Sequence, residues 1–181
     1  MEEWGRRMRL LIAFATVEGQ TGKIARFIAE EARRSGHDVS VVEVSDGGEI
    51  PSIARYDRVV LAASVHERRH PKSFEVLLAG QKKALADKTS LLVSVSLKAA
   101  FEDGLEEAQD YVDELKLRTG FEPDRELLVA GAVKTGSYDY FQSQVVRHVL
   151  LGRHGHAPVE GEQEFTNWQE LAAATRSFIE G

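Results

Sequence analysis

Residues 9–23 read Arg9-Leu10-Leu11-Ile12-Ala13-Phe14-Ala15-Thr16-Val17-Glu18-Gly19-Gln20-Thr21-Gly22-Lys23. Leu10 to Ala15 is an unbroken apolar run, and Ile24 to Arg34 carries a helical pattern. Between them lies a short turn of small and hydroxyl-bearing residues. A buried strand that enters a helix through such a turn makes a phosphate cradle. The first amides of the helix have no intrahelical acceptor, and the helix dipole favours an anion beside them. Thr16 and Thr21 add hydroxyls, and Gly19 and Gly22 let the backbone approach a ligand closely.

Spacing narrows the choice of ligand. A Walker A loop needs glycine at both ends and Ser or Thr after the lysine. Here Val17 and Ile24 occupy the discriminating positions. The dinucleotide fingerprint G-x-G-x-x-G is absent as well. The pattern Thr-x-Glu-Gly-Gln-Thr directly after a first strand resembles the FMN phosphate loop of flavodoxin-like proteins. On this loop alone, a generic strand-to-helix turn with a threonine cap fits as well.

Apolar runs alternate with helical patterns along the rest of the chain. Strands are expected near 9–15, 38–44, 58–64, 89–96 and 126–133, and helices near 21–35, 72–86, 102–118, 139–151 and 167–179. The runs at 58–64 and 89–96 are almost wholly apolar or small, as in strands covered on both faces. Gly36 and Gly120 are expected to close the first and third helices, and Thr166 to cap the last. The stretches 45–52 and 152–164 read as irregular. Five strands interleaved with helices predict a doubly wound α/β parallel sheet in the order 2-1-3-4-5, with an extra helical segment after the fifth strand. A ligand then sits beyond the carboxyl ends of strands 1, 3 and 4, at Thr16–Thr21, Ser64–His70 and Ser94–Ala100.

Composition sets outer bounds. The chain has 181 residues, 43% hydrophobic and 29% charged, which suits one domain with a sizeable core. Residues 1–7 are read as a flexible extension and 8–181 as a single domain. A formal net charge of −6 argues against a general nucleic-acid binder. No cysteine is present, which removes disulfides, thiolate clusters and a cysteine nucleophile. No apolar run reaches the roughly 18–20 residues of a membrane span, and no secretory h-region is visible. These features point to the cytoplasm, with contact at the inner face of the cell membrane left open.

Other constellations are weaker. His66-Glu67-Arg68-Arg69-His70 matches H-E-x-x-H, but that zinc motif needs one continuous helix. Here it follows a buried strand, and Pro71 disfavours helical geometry at His70. No metal site is therefore assigned. Arg68, Arg69 and Lys98 bring positive charge to the loops around the expected ligand. If Arg68 or Lys98 reached a flavin ring, it would favour the anionic reduced form and raise the potential. Phe141, Val145 and Val149, widened by Val146 and Leu150, form an apolar stripe suited to core or dimer packing, and less well to a membrane surface. Glu43 reads as a strand-end surface carboxylate.

From Met8 onward the chain resembles the flavodoxin-like, menaquinone-dependent protoporphyrinogen oxidases of bacteria. The resemblance lies in Thr16-Val17-Glu18-Gly19-Gln20-Thr21, Tyr56-Asp57-Arg58-Val59-Val60, Ala63-Ser64-Val65-His66, Phe74, Ser94-Val95-Ser96-Leu97, Pro123-Asp124, Ala130-Gly131-Ala132, the extra helix and Phe165-Thr166-Asn167-Trp168. It implies bound FMN, with Thr16, Glu18, Gly19, Gln20 and Thr21 at the phosphate. Ser64, Val65, His66, Glu67 and Arg68, with Ser96, Leu97, Lys98 and Ala99, would flank the ring. It also implies oxidation of a porphyrinogen with electrons passed to a quinone. No catalytic side chain is assigned, because the redox chemistry belongs to the flavin.

The chain departs from the family pattern at Glu67-Arg68, where an aromatic or small residue and a glycine are common. It departs again at Val133-Lys134-Thr135-Gly136 and at His154-Gly155-His156-Ala157-Pro158. Arg68 is expected to be barred from glycine-only backbone conformations. Two further readings stay open: an electron carrier with no substrate of its own, and an interaction module that has lost FMN.

Overall fold

The computed structural model describes residues 5–134 and 162–181. Its centre is a parallel sheet of β1 (Arg9–Ala15), β2 (Asp38–Glu43), β3 (Arg58–Ser64), β4 (Thr89–Ser96) and β5 (Arg125–Ala130), in the order β2-β1-β3-β4-β5. Register is continuous through the middle of the sheet. Ile12 pairs with Val41 and Val60, and Val60 with Leu91. This is the order expected from the sequence.

Alternation along the strands divides the core in two. Leu10, Ile12 and Phe14 of β1, with Val60, Ala62, Leu91 and Val93, pack under α1 (Gln20–Arg34) and the C-terminal helix α5 (Trp168–Glu180). Leu11, Ala13 and Ala15, with Val59, Leu61 and Leu92, pack against α2 (Lys72–Gly80), α3 (Lys82–Ala86) and α4 (Leu105–Thr119). Each fully buried aliphatic side chain contributes about 1.5–3 kcal/mol by leaving water, so both faces of β1 drive the fold.

Helix α1 buries Ile24, Ala25, Ile28, Ala29 and Ala32, one stripe at helical spacing. It closes with Gly36 N–H to Arg33 O at 2.9 Å and His37 N–H to Ala32 O at 3.1 Å, the paired bonds of a Schellman end. Gly120 likewise closes α4, its N–H bonding to Lys116 O at 2.8 Å.

The structure corrects several boundaries. The helix expected at 72–86 breaks at Gly80-Gln81 into α2 and α3. The helix expected from 102 begins at Leu105, after short 3-10 turns at Lys98–Ala100 and Glu102–Gly104. Loop and helix meet so closely that a Cβ on Gly104 would lie 2.4 Å from Lys98 O, so glycine is required there.

The expected strand 126–133 ends at Ala130. Gly131 turns aside to donate its N–H to Ser96 O at 3.1 Å. Beyond it β6 (Ala132–Lys134) pairs antiparallel with β7 (Glu162–Glu164), within a stretch read as irregular. Asn167, not Thr166, caps α5, its side chain accepting the Glu170 N–H at 3.1 Å. Thr166 instead donates its hydroxyl to Ala130 O at 2.6 Å, tying β5 to the C-terminal segment. The expected helix 139–151 lies outside the described residues. Among the described residues no helix is long and apolar enough to cross a membrane.

Candidate functional site

Three loops leave the carboxyl edge of the sheet side by side, and a cleft opens between them. The first loop supplies Thr16, Val17, Glu18, Gln20 and Thr21, the second Ser64, Val65 and His66, and the third Ser96 and Leu97. Val95, Gly131 and Ala132 complete the lining. The cleft lies at the place where a doubly wound sheet reverses strand order.

The first loop is shaped by its own residues. Thr16 Oγ1 accepts the Gly19 N–H at 2.8 Å, so this hydroxyl fixes the turn. Gly19 has φ 94, a left-handed conformation that a Cβ would strain, and its carbonyl accepts the Lys23 N–H at 3.2 Å. The amides at the start of α1 precede the first intrahelical acceptor and are aimed at the loop. Thr21 is fully buried, and its Oγ1 has no hydrogen-bond partner among the described residues. Ser64 Oγ, at the end of β3, is buried and unpartnered in the same sense. Buried hydroxyls normally find a partner, so two orphans lining one cleft mark donors waiting for a ligand.

The side chain of Gln20 serves another purpose. Its Nε2 donates to Thr166 Oγ1 at 3.0 Å and to Glu164 Oε2 at 3.1 Å. Glu164 also accepts from Lys23 Nζ and, at 2.6 Å, from Trp168 Nε1. The Lys23 hydrogen bond, first of these effects, holds the Glu164 carboxyl below its ordinary range. This cluster anchors the first loop to the C-terminal segment. Sequence reading missed Glu164 as a support, although the spacing of Glu164 and Trp168 was visible.

The second loop is a tight turn, with His66 N–H to Arg69 O at 2.9 Å and Arg69 N–H to His66 O at 3.1 Å. Glu67 and Arg68 at its tip have φ 49 and 66, as in a type I′ turn. Arg68 therefore does enter the left-handed region, in place of the glycine such turns favour. The turn also removes the helix that a zinc-type H-E-x-x-H requires. His70 is buried, with Nε2 2.9 Å from Ser94 Oγ, and burial pushes its pKa down to about 4. Arg69 makes a two-point pair with Glu75 at 2.8 and 2.7 Å, which holds the Glu75 carboxyl below its ordinary range.

Arg68 and Lys98 do not line the cleft. Both bind Glu107 of α4, each at 2.7 Å, so their charge is spent on a carboxylate and not directed at a ligand. Tyr111 OH adds a third donor to Glu107 at 2.6 Å. Lys98 foremost, then Tyr111, lowers the Glu107 pKa, whereas desolvation foremost, then Glu107, raises that of Tyr111. Glu67 and Ala99 also stand outside the lining, and Ala99 N–H bonds to Ser96 Oγ at 3.3 Å. Of the sequence-predicted residues, Thr16, Glu18, Gln20, Thr21, Ser64, Val65, His66, Ser96 and Leu97 meet at the cleft, with Gly19 forming the turn beneath. Glu107 was not foreseen, and no sequence signal marks it.

Comparison with known proteins agrees with this architecture. A protoporphyrinogen IX dehydrogenase (quinone) of Escherichia coli is 27% identical over 170 residues, covering 93% of each chain. Among solved structures, flavodoxin 2 of Bacillus cereus superposes with a TM-score of 0.55 at 19% identity, covering 95% of this chain and 98% of that one. A Fusobacterium nucleatum flavodoxin bound to flavin mononucleotide gives 0.51 at 14% identity, covering 96% and 95%. The flavodoxin domain model matches residues 11–158, most of the chain, and the protein belongs to that family.

Proposed function

We propose that this protein binds FMN in the three-loop cleft and works as an oxidoreductase, oxidising protoporphyrinogen IX and passing the electrons to a quinone, menaquinone by family resemblance. The observation that carries the reading is the pair of buried, unpartnered hydroxyls, Thr21 Oγ1 and Ser64 Oγ, on two of the loops that line one cleft. A phosphorylated, hydrogen-bonding ligand satisfies both. The near full-length likeness to a protoporphyrinogen IX dehydrogenase supports the substrate class.

Bound FMN would supply the redox chemistry, accepting electrons from an organic donor and releasing them to an acceptor. The chain's task is then to hold and orient. The amides at the start of α1 and the Thr21 hydroxyl would bind the phosphate, with Thr16 and Gly19 keeping the turn in shape. Ser64, Val65 and His66 would border one side of the ring, and Ser96 and Leu97 the other. Glu67, Arg68, Lys98 and Ala99 act from behind these walls.

The test is a visible absorption spectrum of the purified protein after adding FMN and removing the excess, followed by anaerobic turnover with a porphyrinogen and a quinone. A retained, shifted flavin spectrum and quinone-dependent porphyrin formation are expected. A protein that FMN cannot colour refutes the cofactor. Retained flavin with no turnover leaves the cofactor and refutes the enzyme, in favour of an electron carrier.

A further inference from the structure

The second loop is held by consecutive residues to three separate elements. Arg68 binds Glu107 on α4, Arg69 binds Glu75 on α2, and His70 binds Ser94 on β4. Glu107 does more than the other two anchors. Its Oε1 accepts from Arg68 NH1 at 2.7 Å, and its Oε2 lies 2.7 Å from Lys98 Nζ in the third loop. Tyr111 steadies the same carboxylate from the next turn of α4, and the Arg68 guanidinium lies over its ring at 5.7 Å. A single carboxylate therefore joins the second and third loops. The side chain of Glu107 is 27% exposed, so the bridge is partly shielded from solvent.

The second loop has reason to need a hold. Glu67 and Arg68 both carry a Cβ in left-handed conformations that Asn and Gly adopt more readily. The ties from outside the turn offset that backbone cost. The third loop is seated at the start of α4 through the close approach of Gly104, the residue before the helix, to Lys98 O. Helix α4 is thus the common base for both walls.

We propose that Glu107 is a positioning residue for the flavin ring: by bridging Arg68 and Lys98 it sets the separation of the two loops between which the ring lies. The inference rests on the FMN reading above. It assigns Glu107 no contact with the flavin and no part in the phosphate site.

The test compares Glu107→Gln with Glu126→Gln, which removes the carboxylate paired with Lys116 farther along α4. Affinities for FMN and for riboflavin are measured, together with amide exchange of the flavin-free protein at residues 65–69 and 97–101. In E107Q both flavins are expected to weaken by the same factor, about tenfold, because only the ring half of the site is disturbed. Exchange in both loops is expected to quicken by a similar factor, while E126Q matches wild type. Arg68→Ala/Lys98→Ala should reproduce the change, and adding E107Q should take it no further. Unchanged exchange and riboflavin affinity in E107Q overturn the inference, as does a loss confined to FMN. If the wild-type protein binds neither flavin, the proposed function falls and the ring-positioning role with it. Normal wild-type binding with an unaffected E107Q sinks this inference alone.

Discussion

Acid should loosen this protein through His70 before it touches the carboxylates. His70 is 2% exposed, its Nε2 is 2.9 Å from Ser94 Oγ, and its ring packs 6.3 Å from that of Phe74. Its Nδ1 has no partner among the described residues. Desolvation dominates its pKa; Glu75 opposes that effect, Arg118 adds to it, and the result is about 4 against 6.5 in solution. The folded state therefore keeps a neutral imidazole where the unfolded chain takes up a proton. Stability is complete above pH 6.5 and falls as pH drops towards 4. Integrating the unequal protonation gives a loss of about 2 kcal/mol between pH 8 and pH 5, rising to about 3 kcal/mol near pH 4. Urea denaturation at pH 8, 7, 6 and 5 checks this, with His70→Gln as the non-titrating reference. The substitution itself lowers stability, so the quantity to compare is the slope with pH. Wild type should lose about 2 kcal/mol more than H70Q across that range, or about 1 M in urea midpoint at an ordinary m-value. Parallel profiles would show that His70 is not a buried neutral group and refute the reasoning.

Other perturbations separate ligand binding from stability. Thr21→Val removes a hydroxyl that has no partner in the described protein, so urea stability should move by less than about 0.5 kcal/mol. FMN binding should weaken about tenfold by fluorescence titration, and riboflavin binding should not change. Glu164→Gln removes the charge and one of the two acceptor oxygens that serve Gln20, Lys23 and Trp168, and should cost about 1–2 kcal/mol in the same assay, with altered Trp168 emission. Glu67→Asn places a residue tolerant of φ 49 at an exposed turn tip and should raise stability by about 0.5 kcal/mol.

The fold was legible because its signals are local and repeated. Leu10 to Ala15 and Val59 to Ala63 are buried on both faces, and such runs announce parallel strands without help from distant residues. The first loop of the cleft was legible for the same reason, since Thr16 to Thr21 are contiguous. Reading failed where distant parts of the chain decide the outcome. The fifth strand stops at Ala130 because Gly131 bonds to Ser96 and β6 finds β7. Thr166 looked like a cap, but Ala130 O and Gln20 recruit its hydroxyl from across the fold and leave the cap to Asn167. Arg68 and Lys98 looked like charges for the ligand because nothing near them in sequence identifies Glu107 as their acceptor.

The same long-range pairing fixes how an anion could be held here. Every arginine or lysine named beside the cleft has a carboxylate partner: Lys23 has Glu164, Arg68 and Lys98 share Glu107, and Arg69 has Glu75. Among the described residues no lysine or arginine lines the cleft itself, whereas Glu18 does. On the proposed reading, the groups among the described residues that would bind a phosphate are neutral donors, the α1 amides and the Thr21 hydroxyl, at a range too short for salt to screen. Exposed cations steer and hold ligands in a salt-dependent way; enclosed hydrogen bonds do not. FMN affinity should therefore change less than about threefold between roughly 50 and 500 mM salt at constant pH. A drop of tenfold or more in fluorescence titrations over that interval would mean that an exposed cation, and not the helix start, carries the phosphate.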